Sequence, residues 1–122
     1  MARKILIVDD EPSIVVPLQF LMEQNGYEVK TAATGEEGIE ALSTFRPDAV
    51  LLDIMLPGMD GFEACQRIRE IPEGQEVRII FLTAMGREMD IAKGMSLEPD
   101  DYITKPFSNS DVAARVRKLF SD

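Results

Sequence analysis

The sequence predicts an α/β fold, a doubly wound parallel sheet of five strands with helices on both faces. Three observations carry that prediction. Short apolar runs alternate with longer segments at helical spacing along all 122 residues, the order expected of βαβ units joined by right-handed crossovers. The central runs are continuous rather than alternating, as in strands buried on both faces. The first and third runs end in carboxylates, at the edge where open α/β sheets bind ligands.

Residues 4–9 form the first strand, ending at Asp9 and followed at once by Asp10 and Glu11. Pro12 suits the first turn of a helix. Ile14, Val15, Leu18, Leu21 and Met22 then recur at helical spacing, and Gly26 ends the pattern. Pro17 inside this pattern removes a backbone bond, so a later start or a bend is expected. Residues 27–32 alternate and read as an edge strand. Thr34 with Glu37 fits a capping box, opening a helix to about Phe45 with Ile39 and Leu42 inward, and Arg46-Pro47 breaks it.

The third strand, residues 49–53, ends at Asp53, and Pro57, Gly58 and Gly61 mark the turn after it. Asp60 caps a third helix with Glu63 at its third position, running to about Ile71-Pro72. After a loop at 73–76, strand 77–83 ends in the hydroxyl of Thr83. Ala84, Met85 and Gly86 lead into a weak helical pattern over 87–96 with Met89, Ala92 and Met95. Residues 100–104 form a short strand before Lys105-Pro106-Phe107. Ser108 or Asn109 then caps a last helix with Val112, Val116, Leu119 and Phe120 inward. One domain over residues 1–122 is expected, with no linker, repeat or second domain.

Composition narrows the function. A formal charge of −9 repels phosphate backbones and argues against direct nucleic-acid binding. No apolar run approaches the roughly 20 residues that span a bilayer, so no membrane is expected as a partner. The first apolar run is too short for a signal peptide. The single cysteine, Cys65, cannot form an internal disulfide, fits a reducing cytoplasm, and reads as a small packing or surface residue. Without histidine, triads and His-ligated metals are excluded.

A parallel sheet gathers the carboxyl ends of its strands. Here that places Asp9, Asp10, Asp53, Thr83 and Lys105 together: three carboxylates, a hydroxyl and an ammonium. Like charges that close are costly, and a hard divalent cation such as Mg²⁺ relieves them. Asp53 is central and can act as a nucleophile toward phosphorus, forming an acyl phosphate. Asp10 with Asp9 holds the metal, Lys105 offers a second cationic contact to phosphoryl oxygens, and Thr83 can hydrogen-bond one of them. No strong general base is present, and phosphoryl transfer does not need one. Taken singly, each residue has a plainer role. Asp9-Asp10 would cap a helix, Lys105 would be a surface lysine, and Thr83 a strand-end hydroxyl. Their joint placement favours the site.

Across essentially its whole length the chain resembles the response-regulator receiver domains of bacterial two-component signalling. The residues that carry the likeness are Ile5-Leu6-Ile7-Val8-Asp9-Asp10-Glu11, Asp53-Ile54-Met55-Leu56-Pro57-Gly58-Met59-Asp60-Gly61, Phe81-Leu82-Thr83-Ala84 and Asp100-Asp101-Tyr102-Ile103-Thr104-Lys105-Pro106-Phe107. The resemblance implies a flavodoxin-like sheet of order 2-1-3-4-5 with five helices. It implies that Asp53 takes a phosphoryl group from a sensor histidine kinase or phosphotransfer protein, as a signalling phosphoacceptor that helps catalyse its own phosphorylation and slow autodephosphorylation. It further implies Mg²⁺ at Asp9, Asp10, Asp53 and the Met55 backbone carbonyl, a cis bond between Lys105 and Pro106, and a switch in which Thr83 moves and Tyr102 follows. The last helix is similar to that of receivers joined to DNA-binding domains, which dimerise through the fourth helix, fifth strand and fifth helix. Arg115 against Asp100 or Asp101 would be such a pair.

The pattern departs from the family at Glu98-Pro99, where Gly-Ala is common, and at Pro17. Met55 and Met85 cannot position a water, so no unusually fast self-hydrolysis is expected. Two other classes remain. A Mg²⁺-dependent phosphatase with an aspartyl nucleophile would carry a second Asp where Met55 stands. A receiver-like interaction module that is never phosphorylated would not need the complete acidic cluster.

Overall fold

The computed structural model describes residues 2–84 and 99–120. Its elements are β1 (Lys4–Val8), α1 (Pro12–Gln24), β2 (Glu28–Ala32), α2 (Gly35–Thr44), β3 (Ala49–Asp53), α3 (Gly61–Glu70), a 3₁₀ turn (Pro72–Gly74), β4 (Arg78–Ala84), β5 (Asp101–Lys105) and α4 (Asn109–Leu119). All four strand pairings are parallel, and the order is β2-β1-β3-β4-β5. This is the expected doubly wound sheet. Five helices were expected, and four lie among the described residues. The helical pattern over 87–96, with Met89, Ala92 and Met95, lies outside them, as do Met85 and Glu98. No described helix is long and apolar enough to cross a membrane.

Side chains on a strand point alternately to the two faces, and the core divides accordingly. Leu6, Val8, Val50, Leu52, Ile79 and Phe81 pack beneath Leu42 of α2 and Phe62, Cys65 and Ile68 of α3. Ile5, Ile7, Leu51, Ile80, Leu82 and Ile103 pack against Leu18 and Met22 of α1 and Val112 and Val116 of α4. β3 is buried throughout, which is why its sequence reads as an unbroken apolar run. Cys65 is a buried packing residue.

The helix starts follow the side-chain chemistry. Thr34 accepts the Glu37 N–H, while Glu37 reaches back to the Ala33 N–H at 2.9 Å. Asp60 accepts the Glu63 N–H, and Ser108, not Asn109, accepts the Asp111 N–H. α1 differs. Its cap position is Glu11, without a side-chain cap bond, so neither Asp9 nor Asp10 caps it. The helix starts at Pro12 and runs through Pro17. Pro17 and Ser13 are both exposed, so the Ser13 carbonyl that loses its partner faces water.

Several strand ends sit one residue from their expected places: β2 starts at Glu28, β4 spans Arg78–Ala84, one residue beyond Thr83, and β5 starts at Asp101. β1 stops at Val8, though the Asp9 N–H still donates to Ala32 at 3.0 Å. β5 extends to Lys105, whose register partner is Ala84. The Lys105–Pro106 bond is cis, as the resemblance implied.

Candidate functional site

The acids that the sequence places at the sheet's carboxyl edge meet there. Asp9, Asp10 and Asp53 each offer a carboxylate oxygen within 4.8 Å of the others. Asp9 and Asp53 are buried at 2% exposure each, and Asp10 is exposed. The backbone shapes this pocket. The Gly61 N–H donates to the Ile54 carbonyl at 2.9 Å, and a Cβ on Gly61 would collide with the Asp53 backbone carbonyl. Only glycine lets the loop after Asp53 close so tightly against it. Gly58 takes a positive φ of 73° in the same loop.

Among the described residues, Lys105 is the cation of the site. Its Nζ donates to Asp9 Oδ2 at 3.0 Å and to Glu11 Oε1 at 3.4 Å, and lies 3.5 Å from Asp53 Oδ1. The Met55 N–H donates to Asp53 Oδ1 at 3.2 Å and the Glu11 N–H to Asp9 Oδ1 at 3.0 Å. Asp53 Oδ2 is buried and has no hydrogen-bond partner among the described residues. Burial, and then the charge of Asp9, push the Asp53 carboxyl above its ordinary range, outweighing the lowering by Lys105 and the Met55 N–H. Burial pulls the Lys105 ammonium down, but the Asp9 hydrogen bond and the charges of Asp53, Asp9 and Glu11 carry it above its usual value. Among the described residues, three carboxylates around one ammonium leave the pocket short of positive charge. The orphaned Oδ2 and the all-oxygen donor set therefore fit a hard divalent cation.

Thr83 and Tyr102 are placed differently. Asp53 is in register with Leu82, so Thr83 stands one step further along β4. It is buried, with its hydroxyl 3.5 Å from the Ala84 carbonyl. The half-buried Tyr102 ring packs against Phe81, centroids 5.7 Å apart, and Phe81 meets Phe62 edge-on at 5.4 Å. Both residues sit on the strands beside the pocket, outside its ionic contacts. Glu11 is the residue that sequence reasoning left without a role. Its only sequence signal was adjacency to Asp9-Asp10.

Arg115 pairs with Asp101, one of the two acids expected for it. Its Nη1 donates to both carboxylate oxygens of Asp101, at 2.9 and 3.0 Å, and to the Tyr102 carbonyl at 3.2 Å, all within one chain. Asp100 instead accepts the Ile79 N–H at 2.8 Å and pairs with Arg78. α4 packs beside β5, so Arg115 reaches Asp101 without a second subunit.

A parallel sheet of this order, with paired acids and a lysine at its carboxyl edge, defines a signalling phosphoacceptor domain rather than a metabolic enzyme. Known proteins agree. The family model described as the response regulator receiver domain matches residues 5–117, and the chain belongs to that family. It is 46% identical over 119 residues to the alkaline phosphatase synthesis transcriptional regulatory protein PhoP of Bacillus subtilis, covering 98% of this chain and 49% of that protein. The chain thus spans about half the length of that curated relative. A response regulator of Chloroflexus aurantiacus superimposes with a TM-score of 0.92 at 34% identity, over 98% of both chains. The receiver domain of a sensor histidine kinase of Pseudomonas aeruginosa, solved with a magnesium ion coordinated in its active-site cleft, superimposes with a TM-score of 0.88 at 30% identity, over 97% of both.

Proposed function

We propose that Asp53 accepts a phosphoryl group from a sensor histidine kinase or phosphotransfer protein. The observation that carries this is the buried Asp53 carboxylate, with Lys105 Nζ 3.5 Å from Oδ1 and no donor on Oδ2 among the described residues. Asp9, Asp10 and Asp53, with the Met55 backbone carbonyl, would hold Mg²⁺; the Pseudomonas receiver carries a magnesium ion in its active-site cleft. When bound, the ion offsets charge on the phosphoryl oxygens. An Asp53 oxygen attacks phosphorus, the bond from phosphorus to the donor breaks, and the donor leaves with that electron pair. Lys105 neutralises one phosphoryl oxygen, and Thr83 turns its hydroxyl to another. Movement of Thr83 releases space toward Tyr102, and the change spreads through β5 to α4.

A protein donor also has apolar surface to cover. Val16 and Phe20 are each 63% exposed on α1, and Val16 lines a cleft of about 300 Å³ with Asp9, Asp10 and Ala33. Residues 1–122 form the receiver throughout in this proposal, and its partner kinase presents the phosphoryl group in the cytoplasm. The Bacillus relative is named a transcriptional regulator, so the output is control of transcription through a domain that itself binds no DNA here. Homodimerisation involves the face around β5 and α4.

The test is intact mass after incubation with Mg²⁺ and acetyl phosphate, for wild type and Asp53→Ala. A gain of one phosphoryl group in wild type alone supports the assignment. No gain in folded, Mg²⁺-binding wild type overturns it for small donors, and a purified histidine kinase then decides the remainder.

A further inference from the structure

Lys105 is surrounded. An ammonium has three N–H donors, and three carboxylates face this one: Asp9 at 3.0 Å, Glu11 at 3.4 Å and Asp53 at 3.5 Å. Among the described residues two of these carboxylates, Asp9 and Glu11, accept hydrogen bonds from the ammonium and Asp53 forms an ion pair with it, so an arriving phosphoryl oxygen competes with them for Lys105. The three are not equivalent. The side chains of Asp9 and Asp53 are almost wholly buried, whereas that of Glu11 is 56% exposed. Water can take over the carboxylate of Glu11 at little cost, but not those of Asp9 and Asp53. The Glu11 backbone N–H is bound to Asp9 Oδ1 while Lys105 takes Asp9 Oδ2. Glu11 therefore stays beside Asp9 through its main chain whatever its side chain does.

We propose that Glu11 is a positioning residue that tethers the Lys105 ammonium toward the pocket rim, and that its contact is the one given up when Lys105 engages a phosphoryl oxygen on Asp53. This rests on the phosphoacceptor assignment and adds to it a regulator of the lysine. The tether has two consequences. It holds back part of the stabilisation that Lys105 gives to phosphoryl transfer. It also competes with Asp9 and Asp53 for the ammonium, which leaves their oxygens more available to a divalent cation.

The test separates tether from charge. Glu11→Gln removes the charge. Glu11→Asp keeps it but shortens the side chain by roughly 1.5 Å, one carbon–carbon bond, so that it no longer reaches Lys105. Two quantities are read: saturation kinetics of phosphorylation by acetyl phosphate with Mg²⁺, and Mg²⁺ affinity by calorimetry without any phosphodonor. Both variants should raise the maximal rate about three- to fivefold, the size of a half-exposed ion pair, with the half-saturating donor concentration unchanged. Both should weaken Mg²⁺ binding by a similar factor. In a Lys105→Gln background, Glu11→Asp should change neither. A Glu11→Asp protein that matches wild type in both readouts would overturn the tether and leave only a charge effect. So would a Glu11→Asp effect that persists without Lys105. If wild type takes up no phosphoryl group, the phosphoacceptor assignment fails separately, and the calorimetric arm still decides the tether.

Discussion

The two edges of this sheet are built from the same residue types to opposite ends. At the amino edge, charge is matched and hydrogen bonds are satisfied. Arg69 donates from Nη1 to the carbonyls of Gly74 and Val77, at 3.0 and 2.6 Å, fastening the turn between α3 and β4. Asp48 accepts the Lys4 N–H at 2.7 Å, and Asp100 accepts the Ile79 N–H while pairing with Arg78. At the carboxyl edge, three acids stand within 4.8 Å and one Asp53 oxygen has no donor among the described residues. One edge is wired for stability. The other holds an imbalance that a cation and a phosphoryl group can relieve, at some cost to the fold in their absence.

The contrast can be broken from either side. The largest effect is on chemistry: Asp53→Ala should abolish phosphorylation, seen as no mass gain under conditions that label wild type fully. Next is Arg69→Met at the amino edge. Loss of its carbonyl contacts should cost about 2 kcal/mol of stability, read by urea denaturation, and should leave the phosphorylation rate within twofold of wild type. A large rate loss there would show that the edges are not independent.

Asp53→Asn should do the reverse and stabilise the metal-free fold by about 1 kcal/mol, roughly 4 °C in midpoint. The sign follows from the raised Asp53 carboxyl. Protonated Asp53 favours the folded state, so that contribution is complete below the ordinary carboxylate range and is lost as pH rises through the folded-state value. Melts in a pH series should show the two proteins converging in acid and separating toward neutrality, and Mg²⁺ should narrow the gap by stabilising wild type alone. The smallest effect is at Arg115. Its pairs with Asp101 and Asp111 are partly exposed, so Arg115→Ala should cost about 0.5–1 kcal/mol, falling as salt is raised.

Much of this was legible in the chain. The continuous run ending in Asp53 marks a strand buried on both faces, and Thr34, Asp60 and Ser108 announce helix starts because capping is local. Asp9, Asp10, Asp53 and Lys105 were identifiable because a parallel sheet brings strand ends to one edge. Less visible were the contacts whose partners come from distant segments. Glu11 meets Lys105 across 94 residues of sequence, and its place beside Asp9-Asp10 gives no sign of that partner. Arg115 was expected against Asp100 or Asp101, and only the packing of α4 beside β5 shows that Asp101 is its partner within one chain. Pro17 suggested a later helix start or a bend, and the helix starts at Pro12 and runs through the exposed Pro17.

The sequence by itself determined the order of elements, the faces they bury and the edge at which the acids gather, because periodicity, capping and crossover handedness act over short range. Only the tertiary structure decided the balance of charge at that edge: that Lys105 is shared among three carboxylates and that one oxygen of Asp53 has no donor among the described residues. Those are set by ångström-scale placement of side chains on separate strands, and electrostatic energy in a buried pocket depends on such distances and not on composition.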